Sequence, residues 1–378
     1  MKTARKSNYE LMRIISMFLI VLSHVITHGR IIENTESYPG IREIFIFIKI
    51  ITLVHVNSFV LLSGYFQCTE KFKQKKLWKI ITEIIFYELV IMTVLIILKV
   101  IPFDKNMIIG ELFPIELIFN SYWFMKYYII LYCLSPFINN AINSFTKKQF
   151  ESCLLVLALF TSLLPFLCGL NSINNNGYSI YHFVFLYLVG SYLRKYPIED
   201  NYFGKRLSKN LLQLFLLLLM IFSILNNYIL QKAGIALSGI NYTLDIICYS
   251  IKTTGMLYNN PFVIIQSICY FYIFKNISIT NKIINKLGNL VMGIYLIHDN
   301  HFLRMHLYQW LQIDNRIIYS YKFIVYALLI SIFIFIASGI IEYIRQLLLK
   351  TLSLFKINSK IKQHYYNWFN SLYIHDNK

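Results

Sequence analysis

The feature that most constrains this chain is the recurrence of apolar runs of about 20 residues. A helix of that length, at 1.5 Å rise per residue, matches the ~30 Å hydrocarbon thickness of a bilayer. Ten such runs are expected to form spans, at 11–29, 44–66, 80–101, 121–141, 151–170, 180–193, 211–230, 257–275, 288–309 and 322–344. Of the 378 residues 57% are hydrophobic and only 14% charged, and the mean hydropathy of +0.55 lies far above a soluble average. The expected fold class is therefore an all-α integral membrane protein with about ten transmembrane helices. An even number of spans puts both termini on one side.

The net charge of +18 decides which side. With the N-terminus inside, 24 of the 36 Lys and Arg residues fall in inner segments and eight in outer ones, so the positive-inside rule places both termini in the cytoplasm. The cations sit between apolar runs and not in one basic block, which speaks against nucleic acid as a partner and for the lipid bilayer. The basic start and apolar core of the first span resemble a signal peptide, but no small-residue cleavage pattern follows, so the helix is expected to be retained. The six cysteines lack the spacing of a disulfide framework or zinc site, and no metal is expected.

Residues 1–350 read as one membrane domain and 351–378 as a basic, aromatic cytoplasmic tail. The sixth span is short and aromatic, and 231–256, with Gly234, Gly239 and Gly255, reads either as a long loop or as a broken helix.

Ionisable groups inside apolar spans are expensive and mark functional positions. Arg13 and His24 are eleven residues apart on the first span, which places them ~16 Å apart and nearly on one helix face. His298 lies at the same depth if the ninth span starts at Leu287, and His55 reaches that level on the second span. Three histidines at one level suggest a shared polar cavity, continued by Asp299, His301 and Lys126. Ser63-Gly64-Tyr65 allows close approach of another backbone. Glu83, Glu88 and Glu342 read as partners in structural ion pairs, and His182 as a structural hydrogen-bonder.

Several segments together resemble one family. Arg13 and His24 with ten residues between, Asn57-Ser58-Phe59-Val60-Leu61-Leu62-Ser63-Gly64-Tyr65-Phe66 followed by a basic loop, and Tyr122-Trp123-Phe124 are similar to bacterial membrane acyltransferase family 3. So are Leu131-Tyr132-Cys133-Leu134-Ser135-Pro136, Phe185 to Leu193, and Gly293-Ile294-Tyr295-Leu296-Ile297-His298, in the same order. The opening Asn57-Ser58 departs from the Pro-Leu-Phe form common in the family.

The resemblance implies a multi-pass enzyme of the bacterial cytoplasmic membrane. Such an enzyme moves an acyl group, usually acetyl, from cytoplasmic acetyl-CoA to a hydroxyl of an envelope polysaccharide (capsule, exopolysaccharide or O-antigen) or its lipid-linked precursor. Coenzyme A is a polyanion, and Arg13 with Lys73, Lys75 and Lys76 would meet its phosphates. Ser63, Gly64 and Tyr65 are grouped with them as donor contacts. His24, assisted by Arg13 and His298, is the expected catalytic group, either as base or as an acyl-carrying nucleophile. Tyr65 or Tyr295 would polarise the thioester, and His55, Trp123, Lys126 and Asp299 are expected on the acceptor side. The rival class is a transporter or flippase of an envelope precursor, which ten spans with midplane ionisable residues and broken helices also describe. No correspondence between 1–190 and 191–378 supports that rival.

Overall fold

A computed structural model describes residues 6–104, 122–168, 174–200, 208–237, 256–313 and 321–354. Among these residues the regular structure is entirely helical. Six helices are long and apolar enough to cross a membrane: Ser7–His28, Pro39–Gln67, Gln74–Ile97, Lys147–Leu167, Lys209–Ala233 and Tyr321–Thr351. They coincide with six of the ten expected runs. The other four runs are also helical but shorter or richer in polar residues.

In chain order, α1 (Ser7–His28) and the short α2 (Ile31–Asn34) lead to α3 (Pro39–Thr52) and α4 (Val54–Gln67). These last two replace the single second span, and they meet in a break at Leu53. Then come α5 (Gln74–Ile97), α6 (Trp123–Ser144) and α7 (Lys147–Ala158). A capping box between Thr146 and Gln149 starts α7, and a π-helical turn at Leu159–Leu163 carries it into Leu164–Cys168. α8 (Ile180–Lys195) starts where the Ser179 hydroxyl accepts from the His182 N–H. α9 (Lys209–Leu237) extends the seventh span into 231–237, so that part of the ambiguous segment is helix; 238–255 lies outside the described residues. α10 (Pro261–Lys275) and α11 (Lys282–Leu287) follow, each capped by an asparagine, Asn260 and Asn281.

The expected ninth span is also broken. α12 (Val291–His298) stops at Asp299, and α13 (His301–Trp310) restarts with the Asn300 side chain accepting from the Phe302 and Leu303 N–H groups. A span of 20 apolar residues read from sequence does not reveal a cap that pulls the backbone out of register at its centre. The last helix, α14 (Tyr321–Leu354), runs ten residues beyond the expected end of its span. The tail from 355 onward lies outside the described residues.

Burial separates the centre of the bundle from its lipid-facing rim. Pro39–Gln67 is the most enclosed of the six long helices, at 67%. α7, α9 and α14 instead expose rows of Leu, Ile and Phe, including Leu155, Ile229, Phe333 and Ile340. Exposed apolar rows of this length suit contact with hydrocarbon. One core packs α4, α8 and α10 around Val60, Leu61, Phe183, Leu186 and Phe271. A second joins α1, α5, α12 and α14 through Val21, Val25, Ile84, Leu296 and Ile334.

The most extensive helix pair is α4 against α8. Gly64 and Gly190 make it possible. A Cβ on Gly64 would lie 2.0 Å from the Tyr187 carbonyl oxygen, and one on Gly190 2.2 Å from that of Leu61. The two backbones touch where a side chain would hold them apart.

Candidate functional site

The site assembles where α1 passes the break between α12 and α13. His24 Nδ1 lies 3.2 Å from His298 Nε2, and His298 Nδ1 lies 2.6 Å from the Ile294 carbonyl oxygen one turn back. A carbonyl only accepts, so His298 Nδ1 carries a hydrogen and its Nε2, in the neutral ring, is an acceptor. His24 Nδ1 must then donate, which leaves the lone pair of His24 on Nε2. A main-chain oxygen thus sets the tautomer of two rings in series.

The helix break brings a carboxylate to the same place. Asp299 Oδ1 is 3.5 Å from His24 Nδ1, 3.9 Å from His28 Nε2 and 2.9 Å from Arg304 Nη1. Asp299 is 1% exposed, and its carboxylate also faces the Tyr295 hydroxyl. Asn300 secures the break by donating from Nδ2 to the Tyr122 hydroxyl, which in turn donates to the Leu296 carbonyl at 2.7 Å. His24, His28 and Asp299 each bring a possible ligand atom within 4.8 Å of the others. Arg304, paired to the same carboxylate, adds positive charge where a cation would sit, so this arrangement favours a proton-handling cluster over a metal centre.

A cavity of about 400 Å³ lies towards the Arg13 end of α1 from this cluster. Its lining includes the charged residues Arg13, Glu70, Lys76, Lys79 and Glu83, the apolar Met17, Ile20, Phe59, Phe124 and Met292, and Tyr295. Tyr295 connects the two features. Its ring is 6.1 Å from that of His298 and 6.0 Å from that of Phe124. Its hydroxyl is buried and faces the Asp299 carboxylate one helical turn on. On α1 the cavity wall reaches Ile20, one helical turn before His24.

The rim is braced by an ion-pair network. Arg345 binds Glu342 through Nε and Nη2, both at 2.7 Å, and Glu83 at 2.8 Å. Tyr87 also donates to Glu342. Glu83 and Glu342 are therefore structural acids, as read from the sequence, and they tie α5 to α14. Arg13 donates to Glu10 at 3.0 Å while lining the cavity.

The remaining expected residues are spread more widely. Lys76 lines the cavity, with its ammonium 4.8 Å from the Tyr132 ring centre. Lys73 turns to Glu70 at 2.7 Å with a 61% exposed side chain, and neither it nor Lys75 is on the cavity wall. Ser63 lines the cavity, whereas Gly64 sits in the α4–α8 crossing, and the Tyr65 hydroxyl accepts from Arg194 at 3.3 Å. His55 is fully buried with both ring nitrogens unpartnered, its ring 5.5 Å from that of Tyr258. Trp123 stacks on the same Tyr258 at 5.8 Å and packs on Tyr178 at 4.4 Å. Lys126 lies over Tyr127. His182 donates to Asn57 Oδ1 at 3.1 Å, a structural bond between α8 and α4.

Sequence reasoning missed His28, Arg304, Lys49 and Lys79. Lys79 follows Lys76 by three residues and so shares its helix face, a signal available in the sequence. His28 follows His24 by four and was legible in the same way. Arg304 and Lys49 meet the site only through tertiary packing.

A family model described as an acyltransferase domain, of acyltransferase family 3, matches residues 6–343. No curated protein matches the chain. No solved structure matches it either.

Proposed function

Because the chain belongs to acyltransferase family 3 over residues 6–343, we propose that it transfers an acetyl group from cytoplasmic acetyl-CoA to a hydroxyl of an envelope polysaccharide or its lipid-linked precursor. In this reading the bundle crosses the bacterial cytoplasmic membrane ten times with both termini inside. The cavity then opens to the cytoplasm at Arg13, Lys76 and Lys79, where the donor's phosphates bind. Its apolar shaft takes the pantetheine arm, and the thioester arrives at Tyr295.

The observation that carries the reading is the fixed tautomer of His24 beside the end of that cavity. A neutral Nε2 lone pair suits removal of a proton from an acceptor hydroxyl. The hydroxyl oxygen attacks the thioester carbonyl as Nε2 takes its proton. The carbon–sulfur bond breaks, and the thiolate leaves and recovers the proton from the imidazolium. The phenol of Tyr295, which lines the cavity, turns from Asp299 to donate to the developing oxyanion. The same Nε2 would also serve an acyl-histidine route. Helix breaks like those at Leu53 and Asp299 also occur in carriers, but family membership counts against the transporter reading.

The test compares envelope glycan from cells with and without the protein by proton NMR. O-acetyl signals are expected with the wild-type protein and absent with His24→Gln at equal membrane abundance. Equal O-acetylation in the absence of the protein refutes the reading.

A further inference from the structure

Lys49 is a cation inside a membrane-spanning helix that the reaction above does not use. Its ammonium reaches across from α3 to α1 and donates to Ser23 Oγ at 2.6 Å, Thr27 Oγ1 at 2.5 Å and, more weakly, the Ser23 carbonyl at 3.4 Å. Ser23 and Thr27 precede His24 by one residue and follow it by three, so the ammonium sits on the same turn of α1 as the proposed base. All three acceptors are neutral, and a neutral amide could replace the lysine if those bonds were its purpose. Glu33 on α2 acts on it electrostatically from beyond ion-pair distance. A positive charge held in a span without a contacting carboxylate is costly unless something anionic joins it.

The position also has a direction. Lys49 is not on the wall of the donor cavity. Thr27 is exposed, and the side chains of His28 and Arg304 are each 30% exposed, so the side of the cluster away from Arg13 is open. Arg304 is already committed to Asp299. Lys49 reaches the same opening through Thr27 and has no carboxylate within ion-pair distance.

We propose that Lys49 is the anion-binding residue of the acceptor side: the acceptor presents an anionic oxygen, from a sugar carboxylate or a phosphate, to the ammonium while its hydroxyl is delivered to His24. This rests on the acyl-transfer reading for its context. The chemistry that recognises both anion sources is the same, a charge-assisted hydrogen bond from an ammonium.

The test uses the purified full-length protein with three probes: methyl β-D-glucuronide, inorganic phosphate and the neutral methyl β-D-glucoside. Thermal stability reports binding, and competition against isolated envelope glycan in reconstituted vesicles reports function. One anionic probe is expected to bind about 10- to 100-fold more tightly than the glucoside, the range of a charge-assisted bond. Glucuronide preference identifies a sugar carboxylate and phosphate preference a phosphate. Lys49→Met should abolish the preference and raise the acceptor KM while the donor KM holds. The double variant Ser23→Ala, Thr27→Val, which removes the anchoring hydroxyls and keeps the charge, should retain the preference. Equal binding of all three probes by the wild type, or a preference that survives Lys49→Met, overturns the proposal. Wild-type protein that shows the anion preference but never transfers an acetyl group overturns the acyl-transfer reading and leaves the anion site standing.

Discussion

Replacing His298 by leucine, glutamine and asparagine in turn separates two roles that the wild-type geometry combines. If its task is to hold the tautomer of His24, what matters is an acceptor 3.2 Å from His24 Nδ1. Glutamine places its Oε1 close to where histidine places Nε2, and it should preserve that acceptor. Leucine removes it and leaves a buried N–H without its partner, at a cost of about 1–3 kcal/mol. His24 escapes that cost by moving its hydrogen to Nε2, the nitrogen that must be free to accept a proton. At 1.4 kcal/mol per factor of ten, the productive tautomer and kcat should fall about 5- to 150-fold. Asp299 Oδ1, at 3.5 Å from the same nitrogen, can take part of the bond and keeps the loss towards the lower end. Asparagine is too short to reach and should resemble leucine. The assay is acetyl transfer from labelled acetyl-CoA in reconstituted vesicles, with kcat and donor KM measured at matched protein levels. A glutamine variant as inactive as leucine would show that His298 acts by its own proton chemistry. A leucine variant with wild-type kcat would remove the tautomer argument altogether.

Other perturbations probe the donor side and the scaffold. Tyr295→Phe keeps the ring packing and should lower kcat about 10²-fold or more with donor KM unchanged, as for loss of one oxyanion donor; unchanged kcat in single-turnover transfer would exclude the phenol. Lys76→Gln with Lys79→Gln should raise the donor KM while Lys73→Gln does not, because only the first two line the cavity; steady-state kinetics at low ionic strength decide it, and a KM effect from Lys73 alone would contradict the placement. Gly64→Ala forces a methyl to within 2.0 Å of the Tyr187 carbonyl oxygen and should cost about 3 kcal/mol or more, read as a lowered melting temperature in detergent; wild-type stability would deny the close α4–α8 crossing. A cysteine introduced at position 73 should resist an impermeant thiol reagent in intact cells and react in inverted vesicles, and labelling in intact cells would reverse the orientation.

The sequence by itself determined the solvent of this protein and much of its site. Apolar run length locates the six helices long and apolar enough to cross a membrane, because hydrocarbon admits no backbone polar group that its own helix does not satisfy. The spacing from Arg13 to His24 fixes a shared helix face by helical geometry alone. His298 was also legible, since a histidine in an apolar helix is costly wherever it sits. What the tertiary structure decided is which side chains meet, because that depends on how helices distant in sequence are rotated and displaced against one another. His24, His298 and His55 read as sharing one depth, yet His24 contacts His298 while His55 packs against Tyr258. The Asn300 cap breaks a span that periodicity treats as continuous and turns Asp299 towards His24. Ser63-Gly64-Tyr65 reads as one unit in the sequence, but packing sends Ser63 to the cavity and Gly64 to the crossing with α8. Lys49 reads as a lysine in a span, and only the packing of α3 against α1 shows that its charge lies beside His24. Local sequence sets the axis and the face of each helix. The azimuth and offset at which two helices dock are set by side-chain packing summed over the whole interface.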